Sequence, residues 1–298
     1  MSEFQKRIKI ASVIVCSLII ILVGCAFLTP QKDSEDDVLF YELKGQGENI
    51  VFLHGILGSH RYWDGVAADL SQSHRLILLD LLGFGKSPKP KVEYTVVEHI
   101  KKIDQALNSA LGTNQKFSIV GHSMGAILTL NYAISHPNQV QKLILINPPM
   151  VTDEEDLKQA ISESSSKLMV TMTFSKTWGK LVCMMHEWIP MLSYPLIRLF
   201  EPELPPAVAE AAGQHSWESY SGSFQHVLLE QDFYSLLAQV SHTPILIISS
   251  DNDIYTKTSA LRKLPARKGL KSILISGTHN VLLSDPARIS KEILEFLR

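Results

Sequence analysis

Short apolar runs alternate with segments of helical periodicity from residue 38 to residue 298. The predicted strands are residues 38–43, 49–53, 75–79, 116–120, 142–146, 244–249 and 271–275. Continuous apolar runs of this length are typical of strands that are covered on both faces of a parallel sheet. Helices are predicted at residues 62–71, 95–111, 124–135, 259–264 and 286–297, the last with Asp285 as its cap and Pro286 at its first position. The alternation predicts an α/β fold with a doubly wound, mostly parallel sheet.

One long segment interrupts this alternation. No apolar strand recurs between residues 148 and 239, and the predicted helices there are separated by prolines at positions 190, 195, 202, 205 and 206. Open α/β sheets bind ligands beyond the carboxyl ends of their strands, so we expect a helical cap inserted over that edge. The predicted organisation is an anchor and linker at 1–37, a core at 38–147 and 240–298, and the cap at 148–239.

The N-terminal segment has the pattern of a membrane or export signal. Lys6, Arg7 and Lys9 precede an uncharged apolar stretch at residues 10–28, which is followed by an acidic linker. This length can just span a bilayer, and a basic start followed by an apolar stretch also describes a secretory signal. Because positive charge stays on the cytoplasmic side, both interpretations predict a membrane-attached protein whose main domain lies outside the cytoplasm.

The interpretation of Cys25 distinguishes two possible forms of this anchor. The sequence Leu22-Val23-Gly24-Cys25 resembles the bacterial lipobox, in which the peptide is cut before a cysteine that becomes lipidated. The alternative is an uncleaved transmembrane anchor, in which the cysteine is only a small apolar side chain. Lipidation at Cys25 is favoured because a small residue precedes it and a polar linker follows soon afterwards.

Composition narrows the classes of partner and cofactor. The chain has 298 residues, 45% of them apolar, and a formal net charge of −2. No basic stretch follows the first ten residues, which argues against nucleic acid as a partner. The three cysteines form no disulfide framework, and the eleven histidines show no metal-binding spacing. The sequence predicts neither a metal nor another cofactor.

The most specific chemical pattern is Gly121-His122-Ser123-Met124-Gly125, between a predicted strand and a predicted helix. A serine at the tip of so sharp a turn adopts a strained backbone conformation, and small residues are needed two positions away on each side. This G-x-S-x-G pattern is called a nucleophile elbow. It predicts that Ser123 is a catalytic nucleophile.

Two further motifs stand in register with the nucleophile elbow. His54-Gly55-Ile56-Leu57-Gly58 follows the second predicted strand, and residues 80–87, Asp-Leu-Leu-Gly-Phe-Gly-Lys-Ser, follow the third. With acid and histidine regions near the C-terminus, residues 38–298 resemble the α/β-hydrolase superfamily, and in particular its serine carboxylesterases and lipases. The resemblance implies a triad in the chain order serine, acid, histidine.

The resemblance assigns the base and the acid. His279 is the only histidine after residue 249 and stands in the family's histidine loop. Asp251 and Asp253 are the candidate acids, and the family's spacing favours Asp253. Some relatives carry the acid at the end of the preceding strand, but Asn147 occupies that place and cannot carry the charge. The expected catalytic triad is therefore Ser123, Asp253 and His279.

The resemblance also implies an oxyanion hole and a class of reaction. The backbone N–H groups of Ile56 and Met124 are expected to stabilise the oxyanion that forms when Ser123 attacks a carbonyl. Serine at the nucleophile position excludes relatives that use aspartate there, such as dehalogenases and epoxide hydrolases. His54 and His122 are expected to support the site without reacting, and no chemistry is assigned to residues 80–87.

The substrate follows only indirectly from the sequence. Residues 150–191 hold six of the eight methionines, which can line a pocket for an acyl chain or simply pack the cap. A tethered enzyme meets lipid-derived esters readily, so we expect cleavage of apolar acyl esters, small or lipid-derived. The alternatives on the same fold are a thioesterase, a C–C bond hydrolase, an acyltransferase or a binding protein without activity.

Overall fold

A computed structural model of the chain describes residues 37–150, 155–159, 175, 177, 179–181, 183, 204–256 and 258–298. Cys25 and the apolar stretch at 10–28 lie outside the described residues, as does most of 151–203. Among the helices that are described, none is both long and apolar enough to cross a bilayer. The predicted anchor therefore stays a prediction.

The core is a seven-stranded sheet in the order β1-β3-β2-β4-β5-β6-β7. The strands are β1 (Tyr41–Lys44), β2 (Glu48–Leu53), β3 (His74–Leu79), β4 (Phe117–His122), β5 (Val140–Ile146), β6 (Ile245–Ser250) and β7 (Leu270–Ile275). All neighbouring pairs are parallel except β1 with β3, which is antiparallel at the edge of the sheet. The predicted α/β fold with a mostly parallel sheet is confirmed.

Alternate residues of the strands enter two separate apolar layers. On β2, Val51 and Leu53 pack into one layer, whereas Ile50 and Phe52 pack into the other. Successive side chains of a strand point to opposite faces, so a strand that is apolar at every position needs cover on both sides. This is why the strands appear in the sequence as continuous apolar runs.

Helices supply this cover. Those with described bounds are α1 (Asp64–Leu70), α2 (Val96–Leu111), α3 (Met124–Ser135), α4 (Pro206–Ala212), α5 (Trp217–Ser223), α6 (Phe233–Gln239), α7 (Thr258–Leu261), α8 (Val281–Ser284) and α9 (Pro286–Leu297). A 3₁₀-helix, His60–Trp63, precedes α1, and a π-helix, Phe224–Leu229, follows α5. Helices α2, α3 and α6 cover one face, and α1, α8 and α9 cover the other.

The ends of two helices follow from local sequence. The Thr95 hydroxyl accepts a hydrogen bond from Glu98 N, and the Glu98 carboxylate accepts one from Thr95 N, which forms a capping box at the start of α2. At the start of α9, the Asp285 carboxylate accepts a hydrogen bond from Arg288 N at 3.2 Å, and Pro286 holds the first position. The cap of α9 has the form that the sequence predicts.

The connection from β5 to β6 contains the predicted cap. Within its described parts, residues 155–159 and 204–239 form helices and turns, together with one isolated bridge between Phe84 and His215. Its packing on the core includes a hydrogen bond of 3.0 Å between His99 Nε2 on α2 and Ser223 Oγ at the end of α5. The boundaries 148–239 stay a prediction.

Candidate active site

Loops from several parallel strands meet at the carboxyl edge of the sheet. Loop 54–58 follows β2, Ser123 follows β4, Asn147 follows β5, and the loops that carry Asp253 and His279 follow β6 and β7. Because these strands are parallel, their carboxyl ends lie along one edge. The topology therefore brings together residues that are up to 225 positions apart in the chain (279 − 54).

Ser123 has the strained conformation expected of a nucleophile elbow. It lies between the last residue of β4 and the first residue of α3, with φ 53° and ψ −122°. Such a positive φ is unfavourable for a residue with a Cβ and persists only where the surrounding structure imposes it. Here Ser123 N donates to Ile146 O at 3.0 Å, and Ser123 O accepts from Ala126 N at 2.9 Å. The backbone of Ser123 is therefore hydrogen-bonded both to β5 and to α3.

Close backbone contacts explain the two glycines of the nucleophile elbow. A Cβ at Gly121 would overlap Gly125 O and the hydroxyl of Thr129. A Cβ at Gly125 would overlap the main-chain oxygens of Leu53 and His54, at the end of β2. The small residues therefore allow the start of α3 to lie directly against the strand end that carries loop 54–58.

Loop 54–58 lies beside Ser123. A Cβ added at Gly55 would stand 3.0 Å from Ser123 Cβ, and Gly58 N closes a tight turn by donating to Gly55 O at 3.0 Å. Within the described residues, neither Ile56 N nor Met124 N has a hydrogen-bond acceptor. These two N–H groups lie on the two segments that meet at Ser123. Without a protein acceptor, they are available to donate hydrogen bonds to an oxygen of a bound substrate.

His279 and Asp253 form a hydrogen-bonded pair. His279 Nδ1 lies 3.1 Å from Asp253 Oδ1 and 3.0 Å from Asp253 Oδ2. The Asp253 side chain is fully buried, whereas 19% of the His279 side chain is exposed. Asp251 is exposed and does not face the imidazole, since its Oδ1 accepts from Gly277 N at 3.0 Å. Of the two candidate acids, Asp253 is the one that contacts His279.

The surroundings of Asp253 favour its ionised form. Burial alone would raise the pKa of this carboxyl, but the hydrogen bond from His279, its partial positive charge and the N–H of Tyr255 at 2.9 Å outweigh burial. The net effect lowers the pKa of Asp253 below its ordinary value. A buried carboxylate that stays ionised can hold the orientation of an imidazole and stabilise its positive charge.

The main chain and the ring of His279 are also held in place. His122 Nε2 lies 2.9 Å from His279 O, and the two ring centroids are 4.9 Å apart. Burial, with a smaller effect of the neighbouring His279, lowers the pKa of His122 to about 3, so His122 is a neutral donor. The Tyr255 ring also packs edge-on with the imidazole of His279, at 4.6 Å between centroids. His279 is therefore tied to the residue that precedes Ser123.

Comparisons with known proteins agree with this architecture. A family model described as the alpha/beta hydrolase fold matches residues 48–286, which is most of the chain. The chain belongs to this family. As a member of the α/β-hydrolase fold family, it is also similar in structure to E-2-(acetamidomethylene)succinate hydrolase, with a TM-score of 0.68 and 20% identity, over 87% of this chain and 94% of that one.

Relatives with higher identity match only parts of both chains. Probable lysophospholipase BODYGUARD 1 of Arabidopsis thaliana is 36% identical over 137 residues, which are 42% of this chain and 29% of the plant protein. An uncharacterized protein of Mycobacterium tuberculosis is 34% identical over 117 residues, which are 39% of this chain and 34% of that protein. The matched region thus spans about a third or less of these relatives.

His54 has a supporting position in this α/β-hydrolase fold. It is fully buried, its Nε2 accepts a hydrogen bond from Leu81 N at 2.9 Å, and its Nδ1 lies 2.7 Å from Gly55 O. Burial lowers its pKa to about 4. With both ring nitrogens bonded to the backbone, His54 joins loop 54–58 to the loop after β3.

A second buried His–Asp pair was not anticipated from the sequence. The Asp80 carboxylate accepts from His60 N at 2.5 Å, from His60 Nδ1 at 2.8 Å and from Lys86 N at 2.8 Å. Burial alone would raise the pKa of Asp80, but these bonds outweigh it and the pKa is lowered. The pair fixes loop 80–87 beside the start of the 3₁₀-helix, two residues after loop 54–58. The available signal was an aspartate directly after a buried strand, because a buried charge requires partners.

Proposed function

We propose that this chain is a serine hydrolase that cleaves carboxylic esters through an acyl-enzyme on Ser123. The observation that carries the proposal is the buried, ionised Asp253 on His279 Nδ1, with the main chain of His279 bonded to His122, the residue that precedes the strained Ser123. Asp253 leaves Nε2 of His279 as the basic nitrogen, which is the arrangement that serine activation requires.

The proposed reaction has two halves. His279 takes the proton of the Ser123 hydroxyl as its oxygen attacks the ester carbonyl, and the oxyanion forms at the N–H groups of Ile56 and Met124. The C–O bond to the alcohol then breaks, and His279 returns the proton to the leaving alcohol. In the second half His279 takes a proton from water as the water oxygen attacks the acyl carbon. The bond between that carbon and Ser123 Oγ then breaks, and His279 returns the proton to Ser123 Oγ, which releases the carboxylic acid.

We further propose apolar acyl esters, including lipid-derived ones, as the substrates. The methionine-rich residues 150–191 support this choice, as does the similarity to a plant protein named as a probable lysophospholipase. A tether formed by residues 10–28, lipidated at Cys25 or left uncleaved, would hold the domain outside the cytoplasm at the membrane that supplies such esters. The mass of the mature N-terminus tests the tether, since an intact Met1 would contradict lipidation.

The test of the activity is a matched pair of serine variants. A fluorophosphonate probe should label the wild-type protein at Ser123, and Ser123→Ala should lose both this labelling and ester hydrolysis, by about 10⁴-fold or more. Ser135→Ala is the control, because Ser135 is an exposed serine at the other end of α3 and should behave as wild type. Labelling that survives in Ser123→Ala would refute the proposal.

A substrate panel distinguishes the ester proposal from its alternatives. We expect p-nitrophenyl esters from acetyl to palmitoyl to be hydrolysed with kcat/KM rising along the series. A higher kcat/KM for acyl thioesters or for diketones would instead identify a thioesterase or a C–C bond hydrolase, and transfer to an added alcohol would identify an acyltransferase.

A further inference from the structure

We propose that Asn147 is a positioning residue that sets the location of the His279 main chain relative to the strand leading to Asp253. The inference deepens the proposed hydrolase function and rests on it. Asn147 is the first residue after β5 and is completely buried. It lies between β4, which ends beside Ser123, and β6, which leads to Asp253.

The Asn147 side chain bonds to two different catalytic loops. Its Oδ1 accepts from Ser250 N at 2.8 Å, and its Nδ2 lies 3.0 Å from Ser250 Oγ. The same Nδ2 lies 3.1 Å from Thr278 O and 3.0 Å from His279 O. One side chain therefore connects the end of β6, three residues before Asp253, with the main chain of His279.

This network requires an amide. Ser250 N can only donate, and the carbonyl oxygens of Thr278 and His279 can only accept, so the orientation of the Asn147 amide is unambiguous. A carboxylate of the same shape would place an oxygen against two carbonyl oxygens in a buried site, where such repulsion is not screened. An aliphatic side chain would remove the partner of Ser250 N and one of the two donors to His279 O.

The backbone conformation at position 147 also favours asparagine. Its φ is 43°, in the left-handed region that asparagine, aspartate and glycine tolerate better than other residues. Its N–H donates to Ile248 O at 2.8 Å, as the last backbone bond between β5 and β6. Beyond this point the side-chain amide takes the place of the missing strand and continues the pairing with Ser250.

Together with His122, Asn147 gives the His279 carbonyl oxygen two donors from two neighbouring strands. Asp253 orients the ring of His279, whereas Asn147 and His122 hold its main chain. A shift of about 1 Å in a catalytic group can cost about 10²-fold in rate. Loss of the Asn147 amide should therefore lower kcat without a corresponding change in substrate binding.

The test compares Asn147→Asp and Asn147→Gly in the full chain. Aspartate keeps the shape but replaces the donor, and glycine keeps the φ while it removes the side chain. Both should lower kcat for a p-nitrophenyl ester by about 10- to 10²-fold, with KM changed by less than about threefold. Asn131→Asp is the matched control, because Asn131 Nδ2 also donates to a main-chain oxygen, that of Ile127, and should leave kcat unchanged.

A spectroscopic measurement separates positioning from stability alone. The Nδ1–H proton between His279 and Asp253 should give a low-field proton NMR signal that disappears in His279→Gln. This signal should shift or broaden in Asn147→Gly. A variant that stays folded with wild-type kcat and an unchanged signal, or one that loses only thermal stability, would overturn the proposal.

The two readouts also keep this inference distinct from the proposed function. If Ser123→Ala retained hydrolysis, the serine mechanism would be wrong, and the NMR signal would still decide whether Asn147 positions His279. If Asn147→Asp failed to fold because of its buried charge, Asn147→Gly would decide.

Discussion

Lowering the pH from 7 to 5 should destabilise the folded chain through three buried histidines. His54, His99 and His122 are completely or almost completely buried, and burial lowers their pKa values to about 4, 3 and 3 from the ordinary histidine value of 6.5. The Nδ1 atoms of His99 and His122 have no hydrogen-bond partner in the described part of the chain, so protonation there would create a buried, uncompensated charge.

The sign and the size of the effect follow from these values. The unfolded chain protonates its histidines below about pH 6.5, whereas the folded chain does not, so the free energy of unfolding falls as the pH falls. At pH 5 each histidine is about 1.5 pH units below its unfolded value, which corresponds to about 2 kcal/mol. The three together amount to about 6 kcal/mol, comparable with the whole stability of many domains.

The two buried carboxylates do not contribute to the pH dependence of the free energy of unfolding between pH 7 and pH 5. Asp80 and Asp253 have pKa values below the ordinary aspartate value of 3.8, so both stay ionised between pH 7 and pH 5. Their stabilising contribution is present above this value and is lost only when the pH falls through their lowered pKa values. The slope between pH 7 and pH 5 therefore reports on the histidines.

Urea unfolding at a series of pH values, for wild type and His99→Gln, measures the effect. Glutamine keeps a polar group near Ser223 Oγ, which His99 Nε2 contacts at 3.0 Å, and removes one titrating group. Near pH 5 the variant's free energy of unfolding should depend on pH less steeply, by about 1.4 kcal/mol per pH unit. His242→Gln, at an exposed position, is the control and should leave the slope unchanged. Equal slopes for His99→Gln and wild type would refute the reasoning.

Two further predictions concern the candidate site. Asp253→Asn should lower kcat by about 10³- to 10⁴-fold, because an amide cannot stabilise the imidazolium. Asp251→Asn should change kcat by less than about threefold, since its amide oxygen can still accept from Gly277 N. Steady-state ester hydrolysis measures both variants, and a larger loss at Asp251 would contradict the assignment. Gly125→Ala should lower kcat by about 10²-fold or more by displacing the end of β2 and loop 54–58. Gly112→Ala, where an added Cβ meets nothing within 4 Å but φ is +85°, should lower the melting temperature and leave kcat unchanged; similar kinetics in the two variants would argue against the oxyanion-hole role.

The fold could be predicted from the sequence because its signals are local. Most strands contain a short continuous apolar run, and each main helix carries its own cap or periodicity, so the seven strands and five helices lie within a few residues of their predicted positions. The antiparallel direction of β1 could not be predicted, since a strand has the same apolar pattern in either direction. The 3₁₀-helix His60–Trp63, which precedes α1, could not be predicted either. This turn depends on the buried His60–Asp80 pair.

The nucleophile elbow and the strand ends were determined by the sequence alone, since the small residues around Ser123 and the apolar runs are local requirements of the backbone. The tertiary structure decided which acid contacts His279, because Asp251 and Asp253 share one loop and only the packing of β6 against β7 directs one inward and the other to solvent. It also decided which groups the Asn147 side chain bonds and the neutral state of the buried histidines. Hydrogen-bond distances and burial depend on residues more than a hundred positions apart in the chain, and no local pattern records them.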